Sequence, residues 1–391
     1  MQFHASHRAD THARTHRART RRGLAAAALG GLALSLAACS LGAGESTPSA
    51  PSSSAASEAD AAGGEPGSSE LGGTVVLRTH DSFAVPEETL AAFTDATGVS
   101  VDVQSSGDAG QLVNTLVLAD GDIDADVVFG IDNTFASRAV DAGLLAPHTP
   151  ADQPASAEAY ELPGDAADVL TPIDVGDVCV NIDDTWFADR GVRPPETFED
   201  LADPSYADLF VTPGAATSSP GLAFLLATVA EFGEDGWAEY WQRLMDNGTT
   251  LTSGWSDAYY VDFTAGGGDG DRPIVTSYAS SPPFTVDEET GEATTSALLD
   301  TCYRQVEYAG VVEGSQNPEA AQALVDFMVS PEFQEILPEN MYVFPVDDSV
   351  ALPPDWEQFA QLAEDPLQLD PQTVADNRET WLREWEDVVG G

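Results

Sequence analysis

The chain has 391 residues and sets 15 Lys+Arg against 66 Asp+Glu, a formal charge of −51. Every basic residue is an arginine, and six of them precede residue 39, so the rest of the chain is more acidic still. A surface of that sign repels nucleic acid and anionic lipid headgroups. With 42% apolar and 21% charged residues the bulk is globular,. Beyond residue 39 only His80, His148, Cys179 and Cys302 remain of their types, too few for zinc sites built from His/Cys clusters,.

Residues 1–38 read as an export signal. Arg14, Arg17, Arg19, Arg21 and Arg22 precede an apolar stretch from Leu24 to Ala38,. The stretch is short for a membrane span. It ends in Leu36-Ala37-Ala38-Cys39, which resembles the lipobox of bacterial lipoproteins and implies lipidation at Cys39. Arg21-Arg22 matches a twin-arginine signal only loosely. After Cys39, residues 40–73 are mostly Ser, Ala, Gly, Pro and Glu with almost no large apolar side chain, so 39–73 reads as the lipidated cysteine and a tether,. The expected location is the outer face of the cell membrane, held by the lipid alone.

The body opens with a strand at Thr74–His80. A helix (Pro86–Thr97), a strand (Ser100–Gln104), a helix (Gly110–Leu118), a strand (Asp126–Ile131) and a helix (Phe135–Ala142) follow. Later segments repeat the alternation. Strands are expected at Val178–Ile182, Leu209–Thr212, Pro273–Tyr278 and Cys302–Val312. Helices are expected at Leu222–Phe232, Trp237–Met245, Pro318–Val329 and Thr373–Val389,. Strand and helix in alternation predict an α/β fold with mostly parallel sheets flanked by helices. Two such lobes on a tether suggest a solute-binding protein that closes over its ligand at the strand ends.

Seven segments narrow the class. They are Thr79-His80-Asp81-Ser82-Phe83, Asp126 to Asn133, Thr217 to Leu222, Ser253 to Tyr259, Ser277 to Pro282, Met328 to Gln334, and Tyr342 to Val346. In this order and spacing the chain resembles the thiamine-binding proteins of bacterial ABC transporters over nearly all of residues 74–389. The resemblance implies a two-lobed type II periplasmic-binding-protein fold, with residues 74–173 and 305–350 in lobe 1 and 174–304 and 351–391 in lobe 2. It implies thiamine, or its phosphates, as cargo in the interlobe cleft, and ABC permease subunits as partners of a monomer without cofactor or metal.

Carried over position by position, Asp108 matches an acid facing the ligand and Trp255 a stacking tryptophan. Tyr278 matches a pocket tyrosine, and Ser218 a serine near the hydroxyethyl or phosphate end. His80 and Phe284 stand where tyrosine is usual, and Tyr342 where tryptophan is usual. The chemistry fits: aromatic faces attract the cationic thiazolium, and a carboxylate adds Coulomb attraction. Asp108 also sits where a helix N-cap belongs.

Alternatives stay open on the same fold. Tyr259-Tyr260 resembles the paired tyrosines of ferric-binding relatives, and a polyamine also favours acids and aromatics. His80-Asp81-Ser82 holds the residue types of a hydrolytic triad, but strand neighbours point to opposite faces. A plain structural lipoprotein is the remaining class. Cys179 and Cys302, in strands expected to cross between the lobes of an exported protein, are expected to pair.

Overall fold

The computed structural model describes residues 71–119 and 121–390. The export signal, Cys39 and the tether up to residue 70 lie outside the described residues. Strand β1 (Thr74–Thr79) leads to α1 (Glu87–Thr97), β2 (Ser100–Ser105), α2 (Ala109–Leu118), β3 (Val127–Asp132), α3 (Ala136–Asp141) and β4 (Leu145–Ala146). Next come the long β5 (Thr171–Asp183), α4 (Asp184–Arg190), α5 (Phe198–Leu201), β6 (Phe210–Pro213), α6 (Ser219–Phe232), α7 (Trp237–Asp246) and β7 (Thr250–Thr252). Strand β8 (Ile274–Tyr278) precedes the longest strand, β9 (Thr295–Val312). The chain ends with α8 (Pro318–Met328), α9 (Pro331–Gln334), α10 (Leu337–Met341), β10 (Phe344–Pro345), α11 (Pro354–Phe359) and α12 (Pro371–Val389).

One sheet runs β2-β1-β3-β9-β5-β8-β6-β7, with β4 on β9 and β10 on β5. The strands at each end are parallel, β1 with β2 and β3, and β6 with β7 and β8. Antiparallel β5 and β9 occupy the middle and belong to both ends. The result is the two-lobed type II arrangement, each half a mostly parallel sheet covered by helices. Every residue of β5 is buried, as expected of a strand covered on both faces.

Local sequence explains most elements. Helix α6 is apolar all round and correspondingly buried through most of its length,. Its first turn is set by Ser218, whose hydroxyl accepts from the Gly221 amide at 3.3 Å, and by Pro220,. In α12, Trp381 and Trp385 are buried, and Trp385 meets Trp241 of α7 edge-on at 5.6 Å. Both tryptophans therefore act in packing.

Strand β9 starts seven residues before the expected Cys302. The stretch Thr295–Thr301 lacks a clear two-residue alternation, and is a strand because Thr295 to Leu298 pair with Asp183 to Val180. The register then slips: Val180 opposes Leu298, but Val178 opposes Tyr303. Cys179 and Cys302 lie at this slip and are joined as a disulfide, closing a sequence separation of 123. Just beyond it, Arg304 reaches buried Asp177, whose Oδ2 also accepts from the Ala363 amide at 2.7 Å.

Replacing Cys179 and Cys302 by serine together is expected to lower the unfolding free energy by about 3–5 kcal/mol, since the loop-entropy model gives about 5 kcal/mol for so long a loop. Denaturant titration of native and variant protein measures the loss. Peptide mapping after maleimide treatment of the unreduced, denatured protein is expected to find both positions unlabelled.

Candidate functional site

Between the two halves lie two cavities that meet at Ser82, Trp255, Ser281, Met341 and Tyr342. The inner one, of about 50 Å³, is lined by His80, Asp108, Ser219, Tyr278, Gln305 and Glu307 among others. The outer one, of about 240 Å³, is lined by Trp255, Tyr259, Tyr260, Phe284 and Tyr342 together with Asp81 and Ser82. Neither lining contains an arginine. Arg272 lies elsewhere, against the Asp208 carbonyl and Asp271.

Trp255 follows β7 and opens a helical segment that continues as a π-helical turn over Asp257–Asp262. Such turns recur at functional sites. The ring is half-buried and fixed at three points. It stacks on Tyr259 at 5.0 Å and 20°, meets Tyr260 edge-on at 5.3 Å, and donates its indole N–H to Ser277 Oγ at 3.0 Å. Ser256 makes no capping bond to this turn. Gly254 makes room for Asp108, since a Cβ there would lie 3.1 Å from its carboxylate.

Tyr342 has a φ of 55°, a left-handed conformation rare outside glycine and asparagine,. Its carbonyl accepts from Ser280 Oγ at 2.6 Å, and its ring meets Phe284 at 5.4 Å and 83°. Phe284 is 42% exposed and forms the rim of the outer cavity. Tyr278 crosses β5 where Gly176 leaves room; a Cβ at Gly176 would come within 2.9 Å of the ring.

His80 directly follows β1 and packs against Gly130, where a Cβ would lie 2.2 Å from the imidazole. Its Nδ1 accepts from the Ser82 amide, which leaves Nε2 to face Glu307 Oε1 at 3.3 Å. Burial works to lower the His80 pKa, but Glu307, Asp108 and Asp81 outweigh it and the net shift is upward. Ser82 offers its backbone rather than its hydroxyl to His80, so His80, Asp81 and Ser82 do not form a relay.

Asp108 stands at the N-cap position of α2 but makes no capping bond. Its carboxylate instead accepts from the Ser219 amide at 3.0 Å and the Trp255 amide at 2.8 Å. Burial raises its pKa, and these bonds oppose the shift. Ser218 is fully buried at the start of α6, and its neighbour Ser219 is the one that lines the inner cavity.

Sequence reading missed Gln305 and Glu307 of β9 and the acids behind them. Register places Asp174 opposite Glu307. Both Asp174 carboxylate oxygens are buried without a hydrogen-bond partner, as is Asp132 Oδ2. Burial, then Glu307, holds Asp174 well above the usual carboxylate range. Burial pushes Asp132 up to about 7. The available signal was Arg304, Gln305 and Glu307 in a run otherwise fit for a buried strand.

These acids bind protons more tightly folded than unfolded, so their contribution to stability falls as pH rises from about 4 to 7 and beyond. Repulsion among the surface carboxylates also grows as pH rises and shares that sign, so the native protein is compared with a variant. Asp174→Asn is expected to melt with a shallower fall between pH 5 and pH 8 than the native protein, measured by thermal denaturation at fixed ionic strength.

The sequence profile of the bacterial extracellular solute-binding proteins matches residues 122–363. The chain belongs to that family. Thiamine-binding periplasmic proteins of Salmonella typhimurium and Escherichia coli are each 32% identical to it over 321 residues, covering 81% of this chain and 93% of theirs. That of Brucella suis is 31% identical over 320 residues, covering 80% and 91%. A solved periplasmic thiamin binding protein superposes with a TM-score of 0.70 at 30% identity, covering 81% and 96%. A ferric binding protein from Campylobacter jejuni shares the fold, with a TM-score of 0.63 at 19% identity over 80% and 99%. Sequence and structure thus group the family member with the thiamine-binding periplasmic proteins, which are exported binding proteins rather than enzymes.

Proposed function

We propose that this family member is an extracytoplasmic lipoprotein that captures thiamine between its lobes and delivers it to an ABC importer. The carrying observation is the composition of the cavities: an aromatic outer chamber above a floor of acids, with no arginine in either lining. Thiamine joins a cationic thiazolium ring, which carries a hydroxyethyl arm, to a flat aminopyrimidine through a methylene. Trp255, Tyr260 and Tyr342 offer π faces to the cation, each good contact contributing about 0.5–2 kcal/mol. Asp108 and Glu307 supply negative charge and acceptors. The names of the thiamine-binding relatives described above support the same cargo.

Unphosphorylated thiamine fits this lining better than its phosphates, because an added phosphate meets carboxylates and no guanidinium. Ferric iron fits less well. It requires phenolates, whereas burial, as the leading cause, raises the pKa of both Tyr259 and Tyr260, and Tyr259 is held in a stack under Trp255. Residues 74–173 with 305–350, and 174–304 with 351–391, would form the two lobes of a monomer, hinged in β5 and β9. Cys39 would carry the lipid that holds the protein at the membrane.

Native mass spectrometry of the purified protein is expected to show bound thiamine by mass, and calorimetry to rank thiamine above its mono- and diphosphate. A bound polyamine or iron, or affinity rising with phosphorylation, would contradict the proposal. Trp255→Ala is expected to lose about 2–3 kcal/mol of thiamine binding, about 30- to 150-fold. Intact affinity in that variant would move the site away from Trp255. Cys39→Ala is expected to release the protein from the membrane fraction.

A further inference from the structure

Asp108 is the most heavily used carboxylate of the cleft, and its partners belong to the other half of the molecule. It precedes α2, which lies between β2 and β3 at one end of the sheet. Ser219 starts α6 and Trp255 follows β7, both at the other end. One buried carboxylate therefore spans the cleft, with Oδ1 on the Ser219 amide and Oδ2 on the Trp255 amide. The first is a free amide at the positive end of a 14-residue helix, where a negative charge is favoured,.

The surrounding backbone is shaped for this bridge. Gly110, two residues on, brings α2 against Thr217; a Cβ there would lie 2.7 Å from the Thr217 carbonyl. The Gln111 amide donates to that carbonyl at 3.1 Å, and Asn114 Nδ2 to the Ala216 carbonyl at 3.3 Å. From the opposite side Gly254 admits the carboxylate. Charge-assisted bonds of this kind are roughly twice as strong as neutral ones.

We propose that Asp108 is the closure latch of the cleft, a positioning residue that holds the two halves together by gripping the Ser219 and Trp255 amides. Its role in binding is then to shift the open–closed equilibrium and to set the Trp255 backbone, with the ring placed as a consequence. The latch rests on the two-lobed binding-protein reading, but its test does not require thiamine to be the ligand.

Ser82 and Ser256 come from opposite halves, with hydroxyls 3.4 Å apart. Changing both to cysteine makes closure readable as the rate of disulfide formation between them, followed by peptide mass spectrometry. In ligand-free protein, adding Asp108→Asn is expected to slow this cross-link at least fivefold. Gly254→Ala keeps the carboxylate but crowds it, and is expected to slow the cross-link in the same direction. With both serines intact, Asp108→Asn is expected to raise the thiamine dissociation rate at least tenfold while changing the association rate less than threefold. Equal cross-linking with and without Asp108, in folded variants with native circular dichroism, overturns the latch, as does Gly254→Ala cross-linking at the native rate should Asp108→Asn fail to fold. If thiamine accelerates cross-linking in no variant and binds none, the cargo reading fails while the ligand-free comparison still decides the latch.

Discussion

The architecture depends on two antiparallel strands, β5 and β9, running through the middle of one continuous sheet. Each pairs with its partner on both sides of a register slip, and each also borders an outer set of parallel strands. The interior they cross is fully buried, yet they carry Asp174, Asp177, Gln305 and Glu307 through it. Burying charge without a partner is expensive. Asp177 is matched by Arg304 and the Ala363 amide. Asp174 is not matched, and its unpartnered oxygens lie with Glu307 beneath the cleft. The same strands therefore supply the connection between the halves and an acidic floor for whatever lies between them.

That floor gives the net charge a local meaning. A formal charge of −51 says little about a site, because most of the carboxylates are solvated,. What selects a ligand is the sign of the few buried groups, where water screens least. Here they are carboxylates under aromatic rings. The aromatic wall is itself built on a support, since Trp255 rests on Tyr259, which packs against Phe263 at 5.5 Å. The ring is thus held in place before a ligand arrives, which reduces the ordering cost of binding.

How much was legible in the sequence follows from where each signal resides. Elements whose periodicity is local, such as β1, α1, β2 and α6, were readable to within a few residues. The first part of β9 was not, because Thr295 to Thr301 becomes a strand through pairing with β5. Short helices such as α9, α10 and α11 and the π-helical turn after Trp255 carry no periodic signature long enough to detect. Among site residues, Trp255, Tyr278 and Tyr342 stood out through ordered motifs. Gln305 and Glu307 reach the inner cavity only through the register that sets Asp174 opposite Glu307, a tertiary fact no local pattern encodes.

Asp108 shows the same limit from the other side. Its position before α2 marks it as an N-cap, and a resemblance marks it as an acid facing a ligand. The structure gives its oxygens to amides 111 and 147 positions away in sequence. An N-cap is a local device and a ligand contact is a chemical one, but a carboxylate across a cleft is a mechanical one. It couples the two halves in the state where the ligand cavity is formed. Because ligand and latch both favour that state, their free energies add to the same equilibrium, and a weak ligand gains from a strong latch without a new contact. Opposing this, a latch that held too firmly would keep the empty cleft shut and slow entry.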